Sequence, residues 1–155
     1  MMPYLTRHVI AWERIAALGR AMSQACGAVV TFTGVVRPDH DGARTVASLD
    51  YEAYDAMAER ELDRLVLDAQ ARWPLTAVSL EHRIGAVEVG QISVAVVVAA
   101  PHRADAYAAS RFLMDELKRV VPIWKRTRYD DGTSAWASCT HEHEADALGA
   151  MHACV

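Results

Sequence analysis

The sequence predicts an α+β fold with a mixed or mainly antiparallel sheet. Two observations carry that reading. Helical and alternating apolar periodicities are interspersed along the 155 residues, and several of the alternating segments are joined by tight turns rather than by crossover helices. The length suits one domain, 1–155, with residues 139–155 as a loose tail. Apolar residues make up 52% and charged residues 23%, a globular composition that excludes intrinsic disorder.

Residues 4–10 read as a short strand, and Trp12, Ile15, Ala16, Gly19 and Met22 follow helical spacing. Gly27–Val36 is β-branched and bounded by glycine, so it reads as a strand. Residues 37–42 combine Pro, Asp and Gly, which supply turn dihedrals. Over 47–53, Ala47, Leu49, Tyr51 and Ala53 share one face of a half-buried strand, opposite Ser48, Asp50 and Glu52. Ala58, Leu62, Leu65, Val66 and Ala69 mark an amphipathic helix ending near Trp73-Pro74. Thr76, Val78, Leu80, His82 and Ile84 share a strand face, and Gly85 and Gly90 bracket a turn. Residues 91–100 are nearly all apolar, as in a strand covered on both faces. A helix over 103–121 follows, with Tyr107, Leu113, Met114, Leu117 and Val121 toward the core, until Pro122 stops it. Residues 123–129 and 134–138 form a hairpin across Asp130-Asp131-Gly132.

Charge and motifs narrow the function. A net charge of −4 gives no global field for nucleic acid, so any anion site is a local cluster. The longest apolar stretch, 92–101, is far shorter than the roughly 20 residues of a membrane helix. The N-terminus lacks a hydrophobic signal core. Cys26, Cys139 and Cys154 are odd in number and unpatterned, which points to a reducing cytoplasm. Dinucleotide, Walker A, Cys-x-x-Cys, His-Glu-x-x-His and Gly-x-Ser-x-Gly motifs are absent from the sequence. Cys139, His141, His143, His152 and Cys154 are zinc-type ligands, but their spacing matches no established zinc pattern, and no metal site is assigned.

The chemistry-bearing cluster is cationic. The chain has 14 arginines but only two lysines, Lys118 and Lys125. Arg37 opens a loop directly after a strand, and His102 and Arg103 sit at a helix N-terminus, where free N–H groups favour anions. Lys118 falls in the last turn of that helix, and Lys125 and Arg126 follow Pro122. On that last strand Ile123, Lys125 and Thr127 share one face, opposite Trp124, Arg126 and Arg128. Converging, Arg37, His102, Arg103, Lys118 and Lys125 form a pocket for a phosphate or carboxylate. Several of these cations also have a plainer explanation: Lys118 suits the helix dipole, Arg37 and Arg126 suit a solvated surface, and His102 suits a helix cap. His82, on an apolar face, reads as a hydrogen-bonded core histidine, and Tyr51 and Tyr54 as packing residues.

Residues 27–38 (GAVVTFTGVVRP), 49–60 (LDYEAYDAMAER), 82–85 (HRIG), Val89-Gly90, His102-Arg103, Leu117-Lys118 and 122–125 (PIWK) resemble the large, catalytic subunit of molybdopterin synthase. The resemblance runs from about Gly27 to Trp136 and contributes little before or after. It implies an α/β hammerhead-type fold with an additional small antiparallel sheet. It also implies a sulfurtransferase that converts cyclic pyranopterin monophosphate to molybdopterin without a cofactor of its own. Sulfur would come from the C-terminal Gly-Gly thiocarboxylate of a small ubiquitin-like partner, two of which bind the ends of a large-subunit homodimer, forming a heterotetramer. By motif match, Lys118 and Lys125 are the catalytic lysines. Arg37, His102 and Arg103 match substrate- or phosphate-binding residues; Val35 and Val36 line the same loop, and Arg126 and Thr127 continue the site. Thr127 departs from the family, which often has an acidic residue there. Whether His102 and Arg103 act within one subunit or across a dimer is open. A non-catalytic dimer that docks a ubiquitin-like sulfur carrier, and a metal-binding protein using the Cys/His tail, are the alternatives.

Overall fold

A computed structural model describes residues 4–136. The elements run β1 (Leu5–Thr6), α1 (Trp12–Met22), a 3-10 turn (Ser23–Ala25), β2 (Ala28–Val35), β3 (His40–Asp41), β4 (Arg44–Ala53), α2 (Asp55–Arg72), β5 (Ala77–Arg83), β6 (Gly85–Glu88), β7 (Ile92–Ala100), α3 (Arg103–Val120), β8 (Ile123–Tyr129) and β9 (Ser134–Trp136). The α+β expectation holds, in two sheets. The first has the order β1-β5-β7-β2, with β1 parallel to β5 and the remaining pairs antiparallel. In the second, all antiparallel, β4 pairs with β8 along one edge and with β3 and β6 in turn along the other, and β9 extends β8.

The β7 strand explains the core. All nine of its residues are buried because both faces are covered. Val94, Val96, Val98 and Ala100 enter the main cluster with α2 and α3, while Ala95 and Val97 join Ile15 of α1 on the other side. Ile92 breaks this alternation and also faces α1. Its register accounts for that: Gly34 pairs with Val94 but Val35 pairs with Ile92, so Ser93 is an extra, bulged residue. Both long helices end where proline requires it. Trp73 before Pro74 and Val121 before Pro122 are extended (φ −130°, ψ 149°; φ −80°, ψ 126°), since the ring disfavours helical backbone at the preceding residue. Among the described residues, no helix is long and apolar enough to cross a membrane.

Several expectations are corrected. Residues 4–10 form only a two-residue strand, with Ile10 in an isolated bridge to Ile92. Residues 37–42 contain β3, and the segment bracketed by Gly85 and Gly90 holds β6 rather than a turn alone; the glycines adopt φ of +89° and +84° at its ends. In β4 the alternation fails at Ala47, which is exposed, while Ser48 is buried. Val46 pairs with Tyr129 and Ser48 with Arg128, so Ala47 is a bulge that reverses the phase upstream. Tyr107 is 65% exposed instead of facing the core, because α3 approaches the sheet through Ala106 and Ala109, whose small side chains permit close contact. Tyr54 is exposed at the start of α2, whereas Tyr51 is buried as expected. The hairpin's second arm is described as far as Trp136; the Cys/His tail lies outside the described residues.

Candidate active site

A cavity of about 340 Å³ opens where the two sheets meet under the C-terminal half of α3. Val35, Val36 and Arg37 enter it from the end of β2, Leu49 and Tyr51 from β4, Ser93 and Val94 from β7, Met114 and Lys118 from α3, and Lys125 and Thr127 from β8. Local sequence explains each placement. Met114 and Lys118 are four apart and share a helix face. Pro122 turns the chain into β8, where two-residue periodicity aims Lys125 and Thr127 inward opposite Tyr51 and Leu49, their partners on β4. The Ser93 hydroxyl donates to the Gly34 carbonyl at 3.2 Å, fixing the bulge from which the chain leaves β2 toward Arg37.

The site is positive and partly desolvated. Burial, then repulsion from Lys118 and Arg37, holds the Lys125 ammonium below the ordinary lysine value. Burial pushes the Tyr51 phenol up, against a smaller opposing influence of Ser93. Arg37 donates to Asp39 at 2.9 Å; both are exposed at the cavity mouth. Among the described residues, Asp39 is the only carboxylate lining this cavity. An exposed pair of this kind contributes at most about 1 kcal/mol, so it leaves Arg37 available to an anion entering the cavity.

Six of the nine site residues expected from sequence therefore converge: Val35, Val36, Arg37, Lys118, Lys125 and Thr127. Three do not. Arg126 lies on the opposite face of β8, paired with Asp50 at 2.9 Å and Glu52 at 3.9 Å, with its guanidinium 5.4 Å from the Trp136 ring centroid. Arg126 and Arg128 together hold the Asp50 carboxyl below its ordinary value. His102 and Arg103 are exposed at the far end of α3, about 22 Å along the helix from Lys118 at the usual rise per residue. His102 occupies the N-cap position but its side chain makes no capping hydrogen bond. Sequence reasoning missed Phe32, Asp39, Met114 and Ser93. Met114 was detectable from its four-residue spacing to Lys118; Ser93 was not, since only the bulge turns it inward. Among the described residues, no group of three His, Cys, Asp or Glu side chains is placed to hold a metal ion.

His82 is the core histidine expected. It is fully buried, with Nδ1 2.9 Å from the Arg83 carbonyl, and its ring meets Tyr51 edge-on at 5.1 Å between centroids. Burial drives its pKa down to about 4.

Comparison with known proteins agrees with this architecture. A family model described as MoaE protein matches residues 5–120, beginning well before the Gly27 at which the sequence motifs start. The molybdopterin synthase catalytic subunit of Nostoc sp. is 46% identical over 127 residues, covering 81% of this chain and 75% of that protein. The Staphylococcus carnosus molybdopterin synthase catalytic subunit is 44% identical over 122 residues, covering 79% and 80%. The crystal structure of molybdopterin synthase from Staphylococcus aureus superimposes with a TM-score of 0.78 at 35% identity, covering 89% of this chain and 98% of that one. With a family model spanning most of its length and relatives above 40% identity, the chain belongs to the MoaE family.

Proposed function

We propose that this chain is the catalytic subunit of a molybdopterin synthase and that the cavity between its sheets is where sulfur is transferred. One observation supports the assignment of the site most directly: the only two lysines of an arginine-biased chain, one on α3 and one on β8, line one cavity with Arg37, which is far from both in sequence. The substrate, cyclic pyranopterin monophosphate, is anionic, and Arg37 binds its phosphate after release from Asp39. The nucleophile is the thiocarboxylate sulfur at the C-terminal Gly-Gly of a small ubiquitin-like partner. This chain therefore supplies orientation, charge stabilisation and proton transfer rather than a nucleophile of its own.

Lys118 lies beside the partner's terminal glycine and stabilises charge developing on the acyl group. Lys125, partly desolvated among cations, moves a proton at the substrate. Lysine can do this near neutral pH when its pKa is depressed, whereas arginine stays charged. Val35 and Val36 form the apolar side of the site, and Thr127 offers a hydroxyl where relatives of the family often carry an acid. His102, Arg103 and Arg126 complete binding of substrate or partner from outside the cavity of a single subunit. The working assembly is a large-subunit homodimer with a small subunit at each end, acting in the cytoplasm.

The test combines purified chain, thiocarboxylated small subunit and the cyclic pterin phosphate, with molybdopterin as readout. Lys118→Ala and Lys125→Ala each lower turnover by two or more orders of magnitude without loss of fold, in the range general acid–base groups contribute. Lys125→Arg remains inactive because it keeps charge but cannot release a proton. Near-normal turnover by Lys118→Ala removes its assigned role.

A further inference from the structure

Behind the cavity, the two sheets touch through a stack of side chains. Lys125 on β8 is directly opposite Tyr51 on β4. Tyr51, on the second sheet, meets His82 of the first sheet edge-on, with an interplanar angle of 75°. His82 is in turn the cross-strand partner of Val94, which lines the cavity. Behind Lys125, the Tyr51–His82 pair is thus an aromatic contact between the two sheets, set within their shared core.

The state of His82 follows from its bonds. A carbonyl only accepts, so Nδ1, facing the Arg83 carbonyl at 2.9 Å, carries the proton. Nε2 is buried with no hydrogen-bond partner among the described residues. A second proton there would create a buried charge with no acceptor, next to Lys125, so the ring stays neutral.

We propose that His82 is a positioning residue for Lys125, acting through Tyr51 as a neutral aromatic backstop that keeps water away from the lysine stem. This deepens the reading of Lys125 as the proton-transfer group and rests on it. The surroundings leave the backstop a distinct part to play. Lys125 faces Lys118 from α3, Arg37 and its partner Asp39 from the loop after β2, Tyr51 from β4, and His82 from β5. The two like charges act across the open cavity, whereas exclusion of water depends on the wall, in which Tyr51 has the His82 ring behind it and Ser93 beside it. What matters is an uncharged ring at position 82, not its ability to titrate.

Because the chain has two lysines, labelling with lysine carrying 13C at Cε yields two side-chain signals, assigned with Lys118→Arg. Their pH titration by NMR reads Lys125 without any enzymatic step, so failure here leaves the sulfurtransferase reading intact, and failure of that reading leaves this measurement intact. His82→Leu, which keeps volume but removes the ring, raises the Lys125 midpoint toward the ordinary lysine value by about half a unit or more. His82→Phe restores the wild-type midpoint although it loses the bond to the Arg83 carbonyl. Val66→Ala, a core truncation in α2, lowers the melting temperature and leaves the midpoint unchanged. An unmoved midpoint in His82→Leu overturns the proposal. So does a shift in His82→Phe equal to that of His82→Leu, or a comparable shift in Val66→Ala. Should His82→Leu not fold, Tyr51→Leu carries the same test, and an unmoved midpoint there overturns it as well.

Discussion

A single buried imidazole sets much of the acid sensitivity expected of this protein. His82 has an ordinary pKa of 6.5 that the fold lowers to about 4. The unfolded chain therefore binds a proton that the folded chain refuses throughout that interval. Stability is fully present above pH 6.5 and falls as pH drops toward 4, by about 3 kcal/mol if the whole shift is expressed. Urea denaturation of wild type and His82→Phe at pH 7 and pH 4.5 checks this: the wild type loses more stability between the two pH values, and the variant shows a flatter dependence even though it starts lower. The same residue illustrates what a sequence discloses at this scale. Its placement on an apolar strand face made it legible as a core histidine, and the scarcity of lysine made Lys118 and Lys125 legible as a pair. Asp39 was not legible, because its meeting with Arg37 two residues earlier depends on loop geometry that turn composition alone does not specify. Arg126 adjoins Lys125 in sequence, yet strand alternation sends it to the opposite face, against Asp50.

At the scale of elements, two bulges shape the site, and both are invisible to periodicity. Ser93 and Ala47 each interrupt an alternation that reads as continuous in the sequence. The long helices and strands were legible because their apolar patterns run over many residues and proline marks their ends. The two-residue β3 and four-residue β6 were not, since they are defined by pairing with β4 rather than by their own pattern. Gly34 exposes the mechanical constraint at the first bulge. A Cβ there would lie 2.7 Å from a Val94 methyl and 3.4 Å from the Ser93 hydroxyl oxygen. Both neighbours line the cavity, so Gly34→Ala must push β2 and β7 apart or displace the Ser93 hydroxyl that holds the bulge. Overpacking of this kind costs about 1–3 kcal/mol, and here it also moves Arg37, which leaves β2 just beyond. The urea midpoint falls accordingly, and the Michaelis constant for the pterin phosphate rises more than turnover falls, because Arg37, the residue proposed to bind phosphate, moves while both lysines stay on α3 and β8. An unchanged Michaelis constant in a destabilised Gly34→Ala protein would show that the bulge does not aim Arg37.

The whole molecule poses a question that one subunit does not answer. Its cations divide between two ends of α3: Lys118 near the C-terminus, in the cavity, and Arg103 with His102 at the N-terminus, exposed. The helix is rigid, and about 22 Å of it separates them, so side-chain motion within one subunit does not unite them over a single phosphate. A two-fold dimer does, if each copy offers its α3 N-terminus to the cavity of the other, since an isologous interface makes every such contact twice. This arrangement predicts intersubunit complementation. Lys118→Ala and Arg103→Ala are each inactive or severely impaired as homodimers, because every site lacks one group. Co-refolded in equal amounts, half of the dimers are mixed, and each mixed dimer has one cavity with both groups intact and one with neither. Activity then recovers to about a quarter of the wild-type value per subunit. If His102 and Arg103 instead serve the cavity of their own chain, or bind only the small partner, the mixture stays at the average of the two parents. The proportion of mixed dimers, measured by tagging one parent, fixes the recovery expected. Activity that tracks that proportion distinguishes a site completed across the dimer from partial function in either parent.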